Sequence, residues 1–130
     1  MAEKPRYQVR VNNQARRDIS AILNWSRDAF GERAAIRYEA LFTQALIDIA
    51  NDPDRVGSQA RPDILTSGAR IYHLSFSRKR VPGPSVKEPR HIIVYRKRGN
   101  GEIEVARILH DSRDFQQHIP ADYRTVDSTD

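Results

Sequence analysis

The chain of 130 residues contains no cysteine. That excludes disulfide staples, thiolate catalysis and cysteine-ligated metal centres. Its four histidines, His73, His91, His110 and His118, show no H-x-x-x-H or related ligand spacing, so no metal is expected. No apolar run approaches the ~20 residues of a membrane span. The N-terminal MAEKPRYQ has no apolar stretch of the signal-peptide kind, so a soluble cytoplasmic protein is expected. A glycine-rich phosphate loop is missing too. Gly99-Asn100-Gly101 joins a strand to another strand rather than to a helix, and no cofactor is expected. There is no internal repeat and no low-complexity stretch.

What is present fits one domain with one core. A chain of this length buries roughly two-thirds of its unfolded surface without staples. The net charge is +5 and unevenly spread. Between Arg70 and His110 stand ten Lys and Arg against three Glu, which leaves the rest of the chain slightly acidic. A basic half suits an acidic partner, either nucleic acid or an acidic protein segment, or it is a solvated face that keeps a small protein soluble.

Period-2 alternation over Tyr7–Val11 predicts a half-buried strand. Asn12-Asn13 offers an N-cap, and a helix follows to about Phe30 with Ala15, Ile19, Ile22, Ser26 and Phe30 on one face. Gly31 stops it. A second helix runs from Glu32 to about Asn51 with Ala35, Tyr38, Phe42, Ala45, Leu46 and Ile49 at three-or-four spacing, and Pro53 forbids its continuation. Residues 54–68 read as loop, Arg70–Phe76 as a strand, and Ser77–Pro89, with three prolines, as a long hairpin loop. His91–Arg98 and Ile103–Leu109 are two strands joined by the Gly-Asn-Gly turn. A short helix is expected over Arg113–His118, and a polar, acidic, frayed tail over residues 121–130. The order β-α-α-β-β-β gives an α+β fold, an antiparallel sheet packed on a helical hairpin. The opposite face of the sheet is expected to be exposed and basic.

Arg70, Arg96, Arg98 and Arg107 sit on or beside strands. Guanidiniums there can grip phosphates or carboxylates bidentately. Equally, they can pair across strands, as Arg107 or Arg96 would with Glu102 or Glu104. His110, next to Asp111 and three before Arg113, has the residue types of a general base with a phosphate-stabilising cation. The other reading is a structural histidine tying the last strand to the first helix. Trp25 and Tyr38 are core or partner-contact residues rather than base-stacking platforms.

Several short motifs occur in order: Ala15-x-x-Asp18-Ile19-x-x-Ile22, Ala35-x-x-Tyr38, Asn51-Asp52-Pro53, Gly68-x-Arg70, Ile93-Val94-Tyr95-Arg96 and Arg107-Ile108-Leu109-His110-x-x-Arg113-Asp114. Together they make residues 7–120 resemble the RelE/ParE superfamily of bacterial toxins. RelE-type members of that superfamily cut mRNA in the ribosome, and ParE-type members poison DNA gyrase. Both are silenced by an antitoxin whose disordered, acidic part folds around the toxin and whose other part binds operator DNA. A basic residue typically precedes the apolar-Val-Tyr of the RelE strand, and here that position is Ile92. Where RelE-type chains carry a basic run after the last strand, this one has His110-Asp111-Ser112. The Leu-His-x-x-Arg-Asp ending looks ParE-like.

The resemblance therefore implies a single toxin domain over residues 1–120, followed by the tail, that inhibits DNA gyrase by binding and is neutralised by a cognate antitoxin. Contact with operator DNA is expected only through the antitoxin, and none with a membrane. Arg107, His110, Arg113 and Asp114 are expected to contact the target. Trp25, Tyr38, Phe42, Arg70 and Arg96 are expected to receive the antitoxin. Two alternatives stand beside this. One is a ribosome-dependent mRNA endonuclease using Arg70, Arg107, His110 and Arg113. The other is a non-toxic member that serves only as a corepressor with its antitoxin.

Overall fold

A computed structural model of the chain describes residues 6–112 and 114–125. Strand β1 (Gln8–Val11) leads into helix α1 (Asn13–Phe30), whose first turn is capped by Asn12: its side-chain oxygen accepts the Ala15 N–H at 2.9 Å. Gly31, at φ 96°, supplies the left-handed turn that lets α2 (Glu32–Asn51) fold straight back. The buried face of α2 is Ala35, Tyr38, Leu41, Phe42, Ala45, Asp48, Ile49 and Ala50; of the expected stripe only Leu46 is merely half-buried. The remaining strands are β2 (Ser58–Gln59), β3 (Ala69–His73), β4 (His91–Arg98) and β5 (Glu102–His110). Asn100 and Gly101 both take positive φ in the β4–β5 turn.

The α+β order is as expected, with two refinements. A two-residue β2 lies inside the segment read as loop, and the sheet is mixed, not purely antiparallel. Its order is β1-β5-β4-β3-β2, and β1 runs parallel to β5 while every other pair is antiparallel. The strand read as Arg70–Phe76 ends at His73, because the His73 ring accepts the Ser75 N–H at 3.0 Å and starts a 3-10 helix over Leu74–Arg80. That helix occupies the first four residues of the expected hairpin loop and leaves Phe76 exposed. The short helix expected over Arg113–His118 is a 3-10 turn over Phe115–His118; Arg113 lies outside the described residues.

The largest departure concerns the far face of the sheet, expected bare and basic. It carries a second core of Leu65, Ile71, Ile92, Val94, Leu109, Ile119 and Tyr123. Tyr123, assigned above to a frayed tail, is 1 % exposed and donates its hydroxyl to Glu104 at 2.6 Å. An isolated bridge between Leu65 and Arg124 pins this cover to the 61–66 segment. Residues 126–130 of the expected tail lie outside the described residues. The uninterrupted apolar run Ile92-Ile93-Val94-Tyr95 is the sequence mark of a strand buried on both faces.

A bulge decides what reaches each face. Tyr95 pairs with Val105 but Val94 pairs with Arg107, so Ala106 is an extra residue in β5. Before it, Ile103 and Val105 face the helices; after it, Ile108 does. The same shift of parity places His110 opposite His91.

Candidate functional site: the cleft beside the helical hairpin

Between the hairpin and the segment entering β4 lies an open cleft of about 980 Å³, lined among others by Ile22, Trp25, Phe30, Tyr38, Val86 and His91. Trp25 and Phe30 are 60 % and 68 % exposed and meet edge to face with centroids 5.4 Å apart. Phe30, placed by periodicity on the buried face of α1, thus sits on the rim, and Leu23 is buried instead. Arg37, Lys87 and Arg90 also line the cleft, against the single carboxylate Glu88.

The floor, where β4 begins and β5 ends, is made by Tyr38, Arg90, His91 and His110, and a linked pair, His73 and Asp111, lines a separate small pocket beside it. The Tyr38 oxygen accepts the Arg90 N–H at 3.0 Å and lies 2.6 Å from His91 Nδ1. Burial pushes the Tyr38 phenol up to about 12, so it keeps its proton and has one to donate to His91 Nδ1. In that arrangement the His91 ring is neutral and carries its hydrogen on Nε2. Burial, with His110 beside it, pushes its pKa down to about 4. The two rings stand nearly perpendicular, 5.4 Å apart. His110 Nδ1 accepts the Ser112 N–H at 3.1 Å. His73 Nε2 meets Asp111 Oδ2 at 2.8 Å, and Arg90 Nε meets Oδ1 at 3.1 Å. These two partners hold Asp111 below the usual carboxylate range although burial opposes them.

Most of the sheet arginines are engaged inside the protein. Arg70 donates to Ser58 Oγ at 2.5 Å and lies 3.5 Å from Asp54. Arg96 bridges Glu104 at 3.3 Å and Asp122 at 3.0 Å, stacked 4.2 Å from the centre of the Tyr123 ring. Arg98 is 4.0 Å from Glu104. Arg107 grips Asp18 of α1 through two nitrogens, at 2.8 and 3.2 Å, and the same carboxylate accepts the Ile108 N–H at 2.9 Å. The cross-strand pairing foreseen for Arg96 thus forms, whereas Arg107 reaches a helix rather than Glu102 or Glu104.

The expected site residues fall into three places. Trp25 and Tyr38 share the cleft, while Phe42 is buried behind it, stacked on Tyr38 at 5.2 Å. Arg70 and Arg96 lie away from it. Arg107, His110 and Asp114 share a smaller adjoining cleft of about 350 Å³, in which Asp114 accepts the Ser112 hydroxyl at 2.6 Å. Of the endonuclease set, Arg107 and His110 come together and Arg70 stands apart from them. Arg70 pairs with Tyr95 and His110 with His91, about 13 Å apart along β4 at ~3.3 Å per residue. Sequence reasoning missed the His91–His110 pair, the anchoring role of Asp18 and the rim position of Arg90. The pair was hidden because counting back from the turn sets His91 against Leu109 unless the bulge is known.

Residues 9–115 match the family model described as the ParE toxin of the type II toxin-antitoxin system, parDE. The chain belongs to the ParE toxin family. Among solved structures, a chain from the chromosomal ParDE TA system of P. aeruginosa is similar in fold, with a TM-score of 0.60 at 14 % identity. That match covers 82 % of this chain and 98 % of the other. No curated protein matches the chain in sequence. The family match stops at residue 115, short of Ile119 and Tyr123, so this ParE-family chain carries the far-face cover outside the matched region. Among the described residues no helix is long and apolar enough to cross a membrane, and no group of three or more potential ligands could hold a metal ion.

Proposed function

We propose that this ParE-family toxin inhibits DNA gyrase by binding, and that a cognate antitoxin neutralises it by laying an acidic, apolar-anchored segment into the cleft beside the hairpin. The family match carries the toxin reading. What supports the antitoxin site is the cleft itself: exposed Trp25 and Phe30 above an apolar wall, with more cations than carboxylates around it. Each aromatic anchor covered by a partner contributes roughly 1.5–3 kcal/mol. In this reading Trp25, Phe30, Arg37, Lys87 and Arg90 meet the antitoxin, with Tyr38 beneath them. Arg70, Arg96 and Phe42 serve the fold that presents them. Target contact falls to the strip after β5, where His110 and Asp114 are exposed and Arg113 follows in sequence.

The test is purified toxin added to gyrase, supercoiled plasmid and ATP. Accumulated cleaved DNA, reversed by the cognate antitoxin, is the expected result. Undisturbed supercoiling at excess toxin refutes the gyrase reading. A translating extract then decides whether mRNA is cut, and growth on expression without antitoxin decides whether the chain is toxic at all.

A further inference from the structure

Two imidazoles in the cleft each have a nitrogen without a partner among the described residues. His110 Nδ1 accepts the Ser112 N–H, and His91 Nδ1 is engaged by the Tyr38 hydroxyl, which with the Tyr38 proton directed at it leaves a His91 N–H at Nε2; neither Nε2 has a partner among the described residues. His91 is only 9 % exposed, yet it lines the large cleft and the smaller one that adjoins it, as does His110. A nearly buried donor left open toward a cavity is a vacancy for an acceptor. We propose that the His91–His110 pair seats a carboxylate of the segment that fills the cleft, and that the pair takes up one proton from solvent as that carboxylate docks. The inference rests on the cleft being the site of an acidic partner segment, as above.

The groups facing the pair fix the sign. From β3 comes His73; from the chain after β5 come Asp111, Asp114 and His118; from the chain before β4 come Lys87, Glu88 and Arg90; from α1, Asp18; from α2, Tyr38 and Arg37. Asp111 does not fill the seat. Its oxygens are held by His73 and Arg90, and it approaches His110 only on the Nδ1 side, at 3.7 Å. Asp18 is held by Arg107 and the Ile108 N–H. The free protein thus keeps His91 uncharged, because burial and the neighbouring His110 both oppose a proton there. A docked carboxylate reverses that balance by accepting from Nε2–H at short range. Tyr38 permits the change: if its hydroxyl proton swings away, its oxygen accepts from His91 Nδ1–H as well as from the Arg90 N–H.

The pair can be read directly by imidazole NMR on the whole chain between pH 4 and 8, with acetate as the probe and chloride at equal ionic strength as control. Acetate should shift the His91 and His110 signals and move the His91 titration to higher pH. An acetate effect equal to that of chloride overturns the seat. Calorimetry with the cognate antitoxin, run in buffers of different ionisation enthalpy, reads the proton. One proton taken up, and affinity rising up to about tenfold per pH unit lowered, is the expected outcome. His91→Gln should flatten that pH dependence. Binding with no net proton uptake refutes the seat and spares the partner reading. No binding refutes the partner reading of the cleft, and the acetate titration then decides the seat by itself.

Discussion

Asp18 is the side chain through which α1 is fastened to β5, and removing it should cost more than removing the arginine it pairs with. β1 covers β5 only from Glu102 to Val105, so the N–H of Ile108 faces an open edge. Asp18 accepts that N–H and both Arg107 nitrogens while only 10 % of its side chain is exposed. Asp18→Ala leaves a guanidinium that is three-quarters covered with only the His118 carbonyl as acceptor, at 3.2 Å, and orphans a backbone donor. Breaking a buried pair from one side costs about 3–5 kcal/mol. Arg107→Ala leaves the carboxylate still bonded to Ile108, so about 1.5–3 kcal/mol is expected, the worth of charge-assisted hydrogen bonds. Asp18→Asn should fall below Asp18→Ala, since its amide oxygen can still accept from Ile108. Urea denaturation with unchanged m-values measures all three, and the double mutant gives the coupling. If Asp18→Ala and Arg107→Ala each cost under 1 kcal/mol, or the order is reversed, the clasp is not what holds α1 to the sheet. In that event any loss of toxicity in Arg107→Ala reports a target contact instead of a weakened fold.

Three more outcomes follow from the geometry. His91 titrates near 4 when folded against 6.5 when unfolded, so the unfolded chain binds the extra proton between those values. Stability is therefore complete above about pH 6.5 and falls by up to about 3 kcal/mol on acidification toward pH 4, a slope that thermal melts of His91→Gln should lack. Tyr123→Ala opens the far-face core and frees the stacked Arg96, which should cost about 3–5 kcal/mol; a loss under 1 kcal/mol in denaturant would mean the C-terminal cover is peripheral. Gly57→Ala places a Cβ 2.4–2.7 Å from the Phe76 ring at φ 96°, so it should destabilise by more than about 1 kcal/mol, with partial recovery on adding Phe76→Ala.

The parts of this fold legible in sequence were those written in local chemistry. A 3.6 period, Asn12, Gly31 and Pro53 delimit the hairpin, and Gly-Asn-Gly turns β4 into β5. What stayed hidden depends on partners far away in the chain. Nothing local to Ala106 marks a bulge, yet the bulge sets which face His110 occupies. Tyr123 stands among polar residues and reads as tail until Glu104 and Arg96 are seen to hold it. Arg70, Arg96 and Arg107 looked like a gripping surface because their acceptors, Ser58, Asp122 and Asp18, belong to other segments.

The parallel pairing of β1 with β5 also governs how the chain must come together. Gln8 meets Glu102 and Val11 meets Val105, partners separated by more than ninety residues. The hairpin can form early from neighbouring residues, but its first strand has no ladder until the final hairpin exists. Closing so long a loop is entropically slow, and pairings of high sequence separation lower folding rates. A nascent chain that has made α1 and α2 alone holds Trp25 and the rim cations but has neither β4 nor β5 to supply the histidine floor of the cleft. The finished surface therefore arises late and all at once. An antitoxin acting there acts on the completed toxin and not on its precursor.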